Sequence, residues 1–172
     1  MVAGRVPRPA TSFLFISQKL YTRTMIQKTY LAGGCFWGLE ELFKKQNGVV
    51  DTETGYTKNA ETLEITFDNE KTSFKNILDF FFCIHNPTTL NQQGNDIGSK
   101  YRSAIFYQNE VEKKEAEEFV KIVNNSGRWD NPVVTTLEQF DNFLPAEEFH
   151  QDYLDKNPGG YTCHVVRFDT YL

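Results

Sequence analysis

Apolar positions along the chain change period in a way that marks out its elements. Tyr30 to Ala32 form a short apolar run ahead of Gly33-Gly34, which predicts a strand and a sharp turn. From Cys35 to about Gln46, Phe36, Leu39 and Phe43 recur at helical spacing, and Gly48 ends that predicted helix. Val49 to Tyr56 and Glu61 to Phe67 predict two strands joined by a turn at Thr57 to Ala60, with Leu63, Ile65 and Phe67 on one face. Phe74, Ile77, Leu78 and Phe81 fall at i, i+3, i+4 and i+7, predicting a helix from Ser73 to Ile84. Ser73 suits the N-cap and Pro87 lies just past the end.

Thr88 to Lys100 is polar and irregular, and Ser103 to Tyr107 predicts a further strand. Val111 to Val123 predicts a third helix with Ala116, Phe119, Val120 and Val123 inward, and Val133 to Leu137 a last strand. The order β-α-β-β-α-β, then a helix and a strand, points to an α+β fold of the ferredoxin-like (βαββαβ) kind. Such a fold is a two-layer α/β sandwich with helices on one face of a mixed sheet. The tail from Phe143 to Leu172 has little periodicity and is expected to wrap the domain as a long, irregular but ordered segment.

The length of 172 residues fits one domain, and 40% apolar with 24% charged residues reads as a soluble globular protein. The net charge of −5 hides an asymmetry. Met1 to Thr29 contains no Asp or Glu but holds Arg5, Arg8, Lys19, Arg23 and Lys28; subtracting that +5 from −5 leaves about −10 on the remainder. So acidic a body is a poor match for nucleic acid. Residues 1–29 are expected to be a presequence of mitochondrial type or a disordered extension, with the globular domain at 30–172. Initiation at Met25 would omit most of that stretch, so the expected compartment is mitochondrial or cytoplasmic. No segment is apolar and long enough to span a membrane.

The chain has three cysteines, Cys35, Cys83 and Cys163, an odd number without paired spacing. That makes a poor disulfide framework, and three histidines without a C-x-x-C pair do not compose a structural zinc site. Cys35 follows two glycines and opens a predicted helix. Free N–H groups and the helix dipole there are expected to favour the thiolate. Trp37 beside it points to a pocket for an apolar group near the sulfur. Cys83, among Phe80, Phe81, Phe82 and Ile84, is expected to be a small buried hydrophobe, and His85, His150 and His164 to be structural.

The strings GGCFWG with GLEELF, GY at Gly55-Tyr56, IHNPTT at Ile84 to Thr89, QGNDIGSKYRSAIFY at Gln93 to Tyr107 and FLPAEEFHQDYLDKNPGGYTCH at Phe143 to His164 together resemble the class A peptide methionine sulfoxide reductases. The resemblance runs from about Tyr30 to His164. It implies an oxidoreductase that repairs oxidised protein under oxidative stress, reducing methionine-S-sulfoxide, free or in proteins, with Cys35 as nucleophile. It implies Glu61 as proton donor, Tyr56 and Tyr101 as hydrogen-bond donors to the sulfoxide oxygen, and Phe36 and Trp37 as an apolar wall around the S-methyl group. Asp96 would help bind the peptide or order the site. Cys163 would resolve the Cys35 sulfenic acid, and a thioredoxin would reduce the disulfide. The resemblance implies no metal or other cofactor, and the chain is expected to act as a monomer.

The chain departs from the family pattern in two places. Only Thr57-Lys58-Asn59-Ala60 separates Tyr56 from Glu61, where the family carries a much longer segment ending in His-Ala-Glu. In addition, Asn86 follows His85 where the family has Asp. Four residues close a hairpin, but a displacement on the order of 1 Å in Glu61 would cost ~100-fold in rate. A catalytically impaired homologue acting as a binding module is therefore the alternative. A thiol peroxidase or redox sensor using Cys35 and Cys163 is a third reading, in which Glu61, Tyr56 and Tyr101 have no part.

Overall fold

The ladder at the centre of the molecule is built around the alternation of Leu63, Ile65 and Phe67 with Thr62, Glu64 and Thr66. The computed structural model describes residues 25–172, so most of the expected presequence, residues 1–24, lies outside the described residues. The elements in chain order are β1 (Ile26–Gly33), α1 (Phe36–Phe43), β2 (Val49–Thr57), β3 (Ala60–Asp68), α2 (Phe74–Ile84), a small hairpin of β4 (Gln92–Gln93) and β5 (Asp96–Ile97), β6 (Ser103–Tyr107), α3 (Glu110–Asn125), β7 (Thr136–Gln139), β8 (Leu144–Pro145) and α4 (Tyr153–Lys156). The main sheet has the order β7-β6-β1-β3-β2-β8. Every pairing in it is antiparallel except β6 with β7, which makes it mixed. Strands β1 and β2 run parallel with β3 between them, as the split βαβ pattern requires.

Leu31, Leu63, Ile65, Phe67 and Ile105 share one sheet face and pack with Leu39 and Phe43 of α1, Ile77, Leu78, Phe81 and Phe82 of α2, and Phe119 and Val123 of α3. On the opposite face, Tyr30, Ala32, Ala60, Ala104 and Phe106 make a smaller cluster roofed by Phe140 and Phe143. Tyr30 and Phe140 stack with centroids 4.0 Å apart. Extended chain, not helix, covers this second face.

Local chemistry sets the helix starts. Ser73 Oγ accepts the Asn76 N–H (3.2 Å), and Asn109 Oδ1 accepts from Val111 and Glu112 (both 3.0 Å). The larger boundary differences from the expected elements have local causes. Strand β1 starts at Ile26 rather than Tyr30, because Ile26 to Thr29 pair with Asp68 to Ile65. Helix α1 stops at Phe43, with the next residues held in turns by Lys45 N to Leu42 O and Gln46 N to Phe43 O. Strand β7 starts at Thr136 rather than Val133, because the Val133 N–H is taken by Asn124 Oδ1 and the Val134 N–H by the Pro87 carbonyl.

The tail supplies edge strand β8, paired to Gly55 and Tyr56, and helix α4 beside α1. Its end is tied to α2: Arg167 N–H donates to Cys83 O (2.9 Å), the Arg167 guanidinium to Ile84 O (2.7 Å), and Tyr171 N–H to Asp79 (2.6 Å). The Trp129 indole donates to the Tyr171 hydroxyl (2.8 Å).

Glu40 of α1 is 2% exposed and accepts the Asp152 N–H (2.9 Å) ahead of α4. Burial pushes its carboxyl up to about 7, opposed by Lys44. Because the folded value is raised, its stabilising contribution is complete below the ordinary carboxyl range and is lost as pH climbs through 7. Glu40→Gln should therefore stabilise the fold by on the order of 1–3 kcal/mol at pH 8 and by well under half as much at pH 5. Urea unfolding at both values checks this, and an equal effect at both would contradict it.

Candidate active site

Cys35 caps α1 with φ −59° and ψ 122°. Gly34 before it has φ +111°, a left-handed value suited to glycine, and a Cβ there would lie 2.6 Å from the Gln93 side chain. Gln93 is buried and held by Asn86, whose N–H donates to its amide oxygen (3.1 Å) and whose carbonyl accepts from its amide nitrogen (3.2 Å). Asn86 also accepts from Thr88, so it braces the loop under the Cys35 turn.

The thiol differs from expectation. Cys35 is 7% exposed, and burial pushes it up to about 12. The Trp37 N–H lowers it, as a helix entrance should, but Glu61, Cys163 and Asp96 add negative potential that raises it further. The resting group is a neutral thiol, because desolvation and neighbouring carboxylates outweigh the N–H groups.

Glu61 is buried on β3, and its Oε2 accepts the N–H of Phe36, the residue after Cys35 (3.2 Å). Oε1 takes a hydrogen bond from the Lys100 ammonium (3.1 Å). Tyr56 lies directly opposite Glu61 on β2. Lys58 (φ 46°) and Asn59 (φ 62°) close the hairpin between them as a two-residue left-handed turn, so the short connection leaves Tyr56 and Glu61 in register. Burial, then Glu147 and Glu61, raise the Tyr56 hydroxyl, which is therefore a phenol able to donate. Tyr101 ends a single 3-10 turn, Ser99–Tyr101, and the Lys100 ammonium stands 4.5 Å from its ring centroid.

Phe36 is buried, 5.7 Å from the Tyr56 ring and 5.3 Å from His150. Trp37 is partly open, stacked on Tyr153 at 3.7 Å, and donates from its indole to His150 Nδ1 (3.2 Å). Cys163 lies on the other side of Cys35, its thiol near the Cys35 N–H. Burial pushes Cys163 up to about 12, helped by Asp96. Asp96 Oδ2 is buried with no hydrogen-bond partner among the described residues. Asp96 thus faces the second cysteine as well as the first.

The fold brings all eight sequence-selected residues to one rim. Cys83 stays apart from it in the core, and His85 lies behind it against Gly33, its ring bonded to Phe81 O (2.6 Å) and Ser103 Oγ (2.8 Å). Sequence reasoning passed over Lys100, Tyr153 and the contact between His164 and Cys163. Lys100 lies next to Tyr101, but its partner Glu61 is 39 residues away, so only the fold reveals the pair. Among the described residues, no group of three or more His, Cys, Asp or Glu side chains is arranged to hold a metal ion, and no helix is long and apolar enough to cross a membrane.

The family model described as peptide methionine sulfoxide reductase matches residues 27–60 and 57–170. The two stretches meet at the short turn between β2 and β3. Peptide methionine sulfoxide reductase MsrA 2 of Rhodopirellula baltica is 48% identical over 156 residues, covering 83% of this chain and 93% of that protein. The crystal structure of Mxr1 from Saccharomyces cerevisiae in reduced form superposes with a TM-score of 0.80 at 34% identity, covering 86% of this chain and 96% of that one. The same yeast protein in complex with Trx2 gives 0.64 at 27% identity, covering 88% and 97%.

Proposed function

Since this chain belongs to the peptide methionine sulfoxide reductase family of oxidoreductases, we propose that it reduces methionine-S-sulfoxide, free or in proteins, through Cys35, Glu61 and Cys163. The observation that carries the reading is the carboxylate of Glu61 bonded to the backbone beside Cys35, with Tyr56 across the ladder.

The chemistry closes with these groups. Cys35 Sγ attacks the sulfoxide, its proton passing to Glu61, and Glu61 returns a proton to the sulfoxide oxygen. The substrate S–O bond breaks and an S–O bond to Cys35 forms. Methionine is reduced and Cys35 becomes a sulfenic acid. A neutral resting thiol fits this route, because its proton is the one the oxygen needs. The phenols of Tyr56 and Tyr101 donate to that oxygen, and Phe36 with Trp37 receives the S-methyl group. Cys163 then displaces water from Cys35 to give a disulfide, which a thioredoxin reduces by exchange. The support for thioredoxin is the yeast neighbour captured with Trx2. The short hairpin turn keeps Glu61 opposite Tyr56, which favours an active enzyme over an impaired relative that only binds. The acid-free stretch ahead of β1 supports a mitochondrial form and initiation at Met25 a cytoplasmic one, each acting as a monomer in repair of oxidised protein.

The test supplies both sulfoxide epimers and dithiothreitol and follows methionine by chromatography. Loss of the S epimer alone is expected; no methionine, or turnover of the R epimer, overturns the reading. Cys163→Ser should form one equivalent of methionine per protein and then stop when thioredoxin is the only reductant. An unchanged thioredoxin-driven rate would remove Cys163 from the cycle.

A further inference from the structure

We propose that His164 is the base that accepts the Cys163 proton when Cys163 attacks the Cys35 sulfenic acid. This rests on the reading of Cys163 as the resolving thiol. The His164 ring is 3% exposed, with Nε2 2.8 Å from the Gly33 carbonyl oxygen. A carbonyl only accepts, so Nε2 carries the hydrogen, and in the neutral ring Nδ1 is left with a free lone pair. Nδ1 stands 3.4 Å from Cys163 Sγ, so the thiol is the donor in that contact. Thr162 Oγ1 accepts the His164 N–H (3.1 Å), and Gly38 of α1 leaves room for the ring: a Cβ there would lie 2.5 Å from Nδ1.

The ring is therefore a fixed acceptor aimed at one sulfur. Burial holds it down to about 4, so the lone pair stays free at neutral pH. Cys163 needs such help. With its thiol pushed up to about 12, little thiolate is present at neutral pH, and because the ring is a weak base the proton moves to Nδ1 only as the S–S bond forms and the sulfur turns acidic. In the step, the Cys163 S–H bond breaks and its proton goes to Nδ1, while the sulfur electron pair forms the S–S bond. The Cys35 S–O bond breaks, and the departing hydroxyl takes the proton from the imidazolium and leaves as water. The sulfenic acid is the only oxidant required.

The titratable and charged groups around the ring are Cys163 and Arg167 on its own tail, Cys35 at the α1 entrance, Asp96 on the small hairpin and His85 after α2. Asp96 is the competing base, because its carboxylate also stands within hydrogen-bond reach of the same thiol, whose one proton can go to either.

The experiment mixes full-length protein with one equivalent of methionine-S-sulfoxide, without reductant. It follows sulfenic acid by trapping and the disulfide by peptide mapping. His164→Gln, whose amide can still donate to Gly33 O, should form sulfenic acid as wild type does but close the disulfide about 100-fold more slowly. Wild-type closure should be flat between pH 5 and 8, whereas closure in the variant should climb about tenfold per pH unit with the thiolate. Closure in His164→Gln at the wild-type rate overturns the proposal, as does Asp96→Asn slowing closure where His164→Gln does not. Should the variant fail to fold, the wild-type profile decides: a tenfold rise per unit between pH 6 and 8 excludes a base at His164. A wild type that forms no Cys35–Cys163 disulfide at all refutes the resolving role itself, and the base with it.

Discussion

Cys35→Ser should leave methionine sulfoxide untouched, whether the reductant is dithiothreitol or thioredoxin. A serine oxygen cannot take the substrate oxygen, because the product would be a peroxide instead of a sulfenic acid. Its hydroxyl is also a far weaker nucleophile than sulfur at the same position. The substitution changes one atom at a 7%-exposed position in the α1 turn, so the ladder and the core should persist. Methionine release measured alongside the thermal midpoint separates lost chemistry from lost fold. Turnover within tenfold of wild type in a folded variant would assign the chemistry to another group.

Glu61→Gln should slow formation of the Cys35 sulfenic acid by about 10²- to 10⁴-fold, the range over which a positioned acid–base group acts. Glutamine keeps the length of the side chain, and its amide oxygen can still accept the Phe36 N–H, so the approach to Cys35 should survive. What disappears is the ability to receive the thiol proton and return it to oxygen. Single-turnover trapping of the sulfenic acid isolates this step from disulfide closure, which should be unaffected once the sulfenic acid exists. An unchanged first step would move the acid elsewhere, with Glu147 beside Tyr56 the next carboxylate to test.

Much of this arrangement can be read along the chain where the cause is local. The α2 stripe and its Ser73 cap are a few residues apart and give the helix within a residue. Strand alternation from Leu63 to Phe67 gives the face on which Glu61 falls. Features decided across long separations are not legible in this way. The Val133 and Val134 N–H groups go to Asn124 and Pro87, so an apolar run that looks like strand is spent before β7 begins. The tail lacks periodicity because its partners are Gly55, Asp79, Cys83 and Trp129, each far off in sequence. The state of Cys35 is another such case: proximity to a helix entrance is a local fact, but desolvation by the tail and the carboxylates of Glu61 and Asp96 are not.

The fastening of the tail directly after Cys163 has a kinetic consequence. His164 is held to Gly33, and Arg167 to the end of α2, so the second sulfur is part of a fixed wall instead of a swinging arm. The two cysteines stand 128 positions apart in the chain (163 − 35), yet the search that would bring them together has been completed by folding. The local concentration of Cys163 at the oxidised sulfur then far exceeds that of any dissolved thiol or peroxide. Ring closure should outrun both, and oxidation of Cys35 should stop at its first, reversible rung even in a strongly oxidising cell.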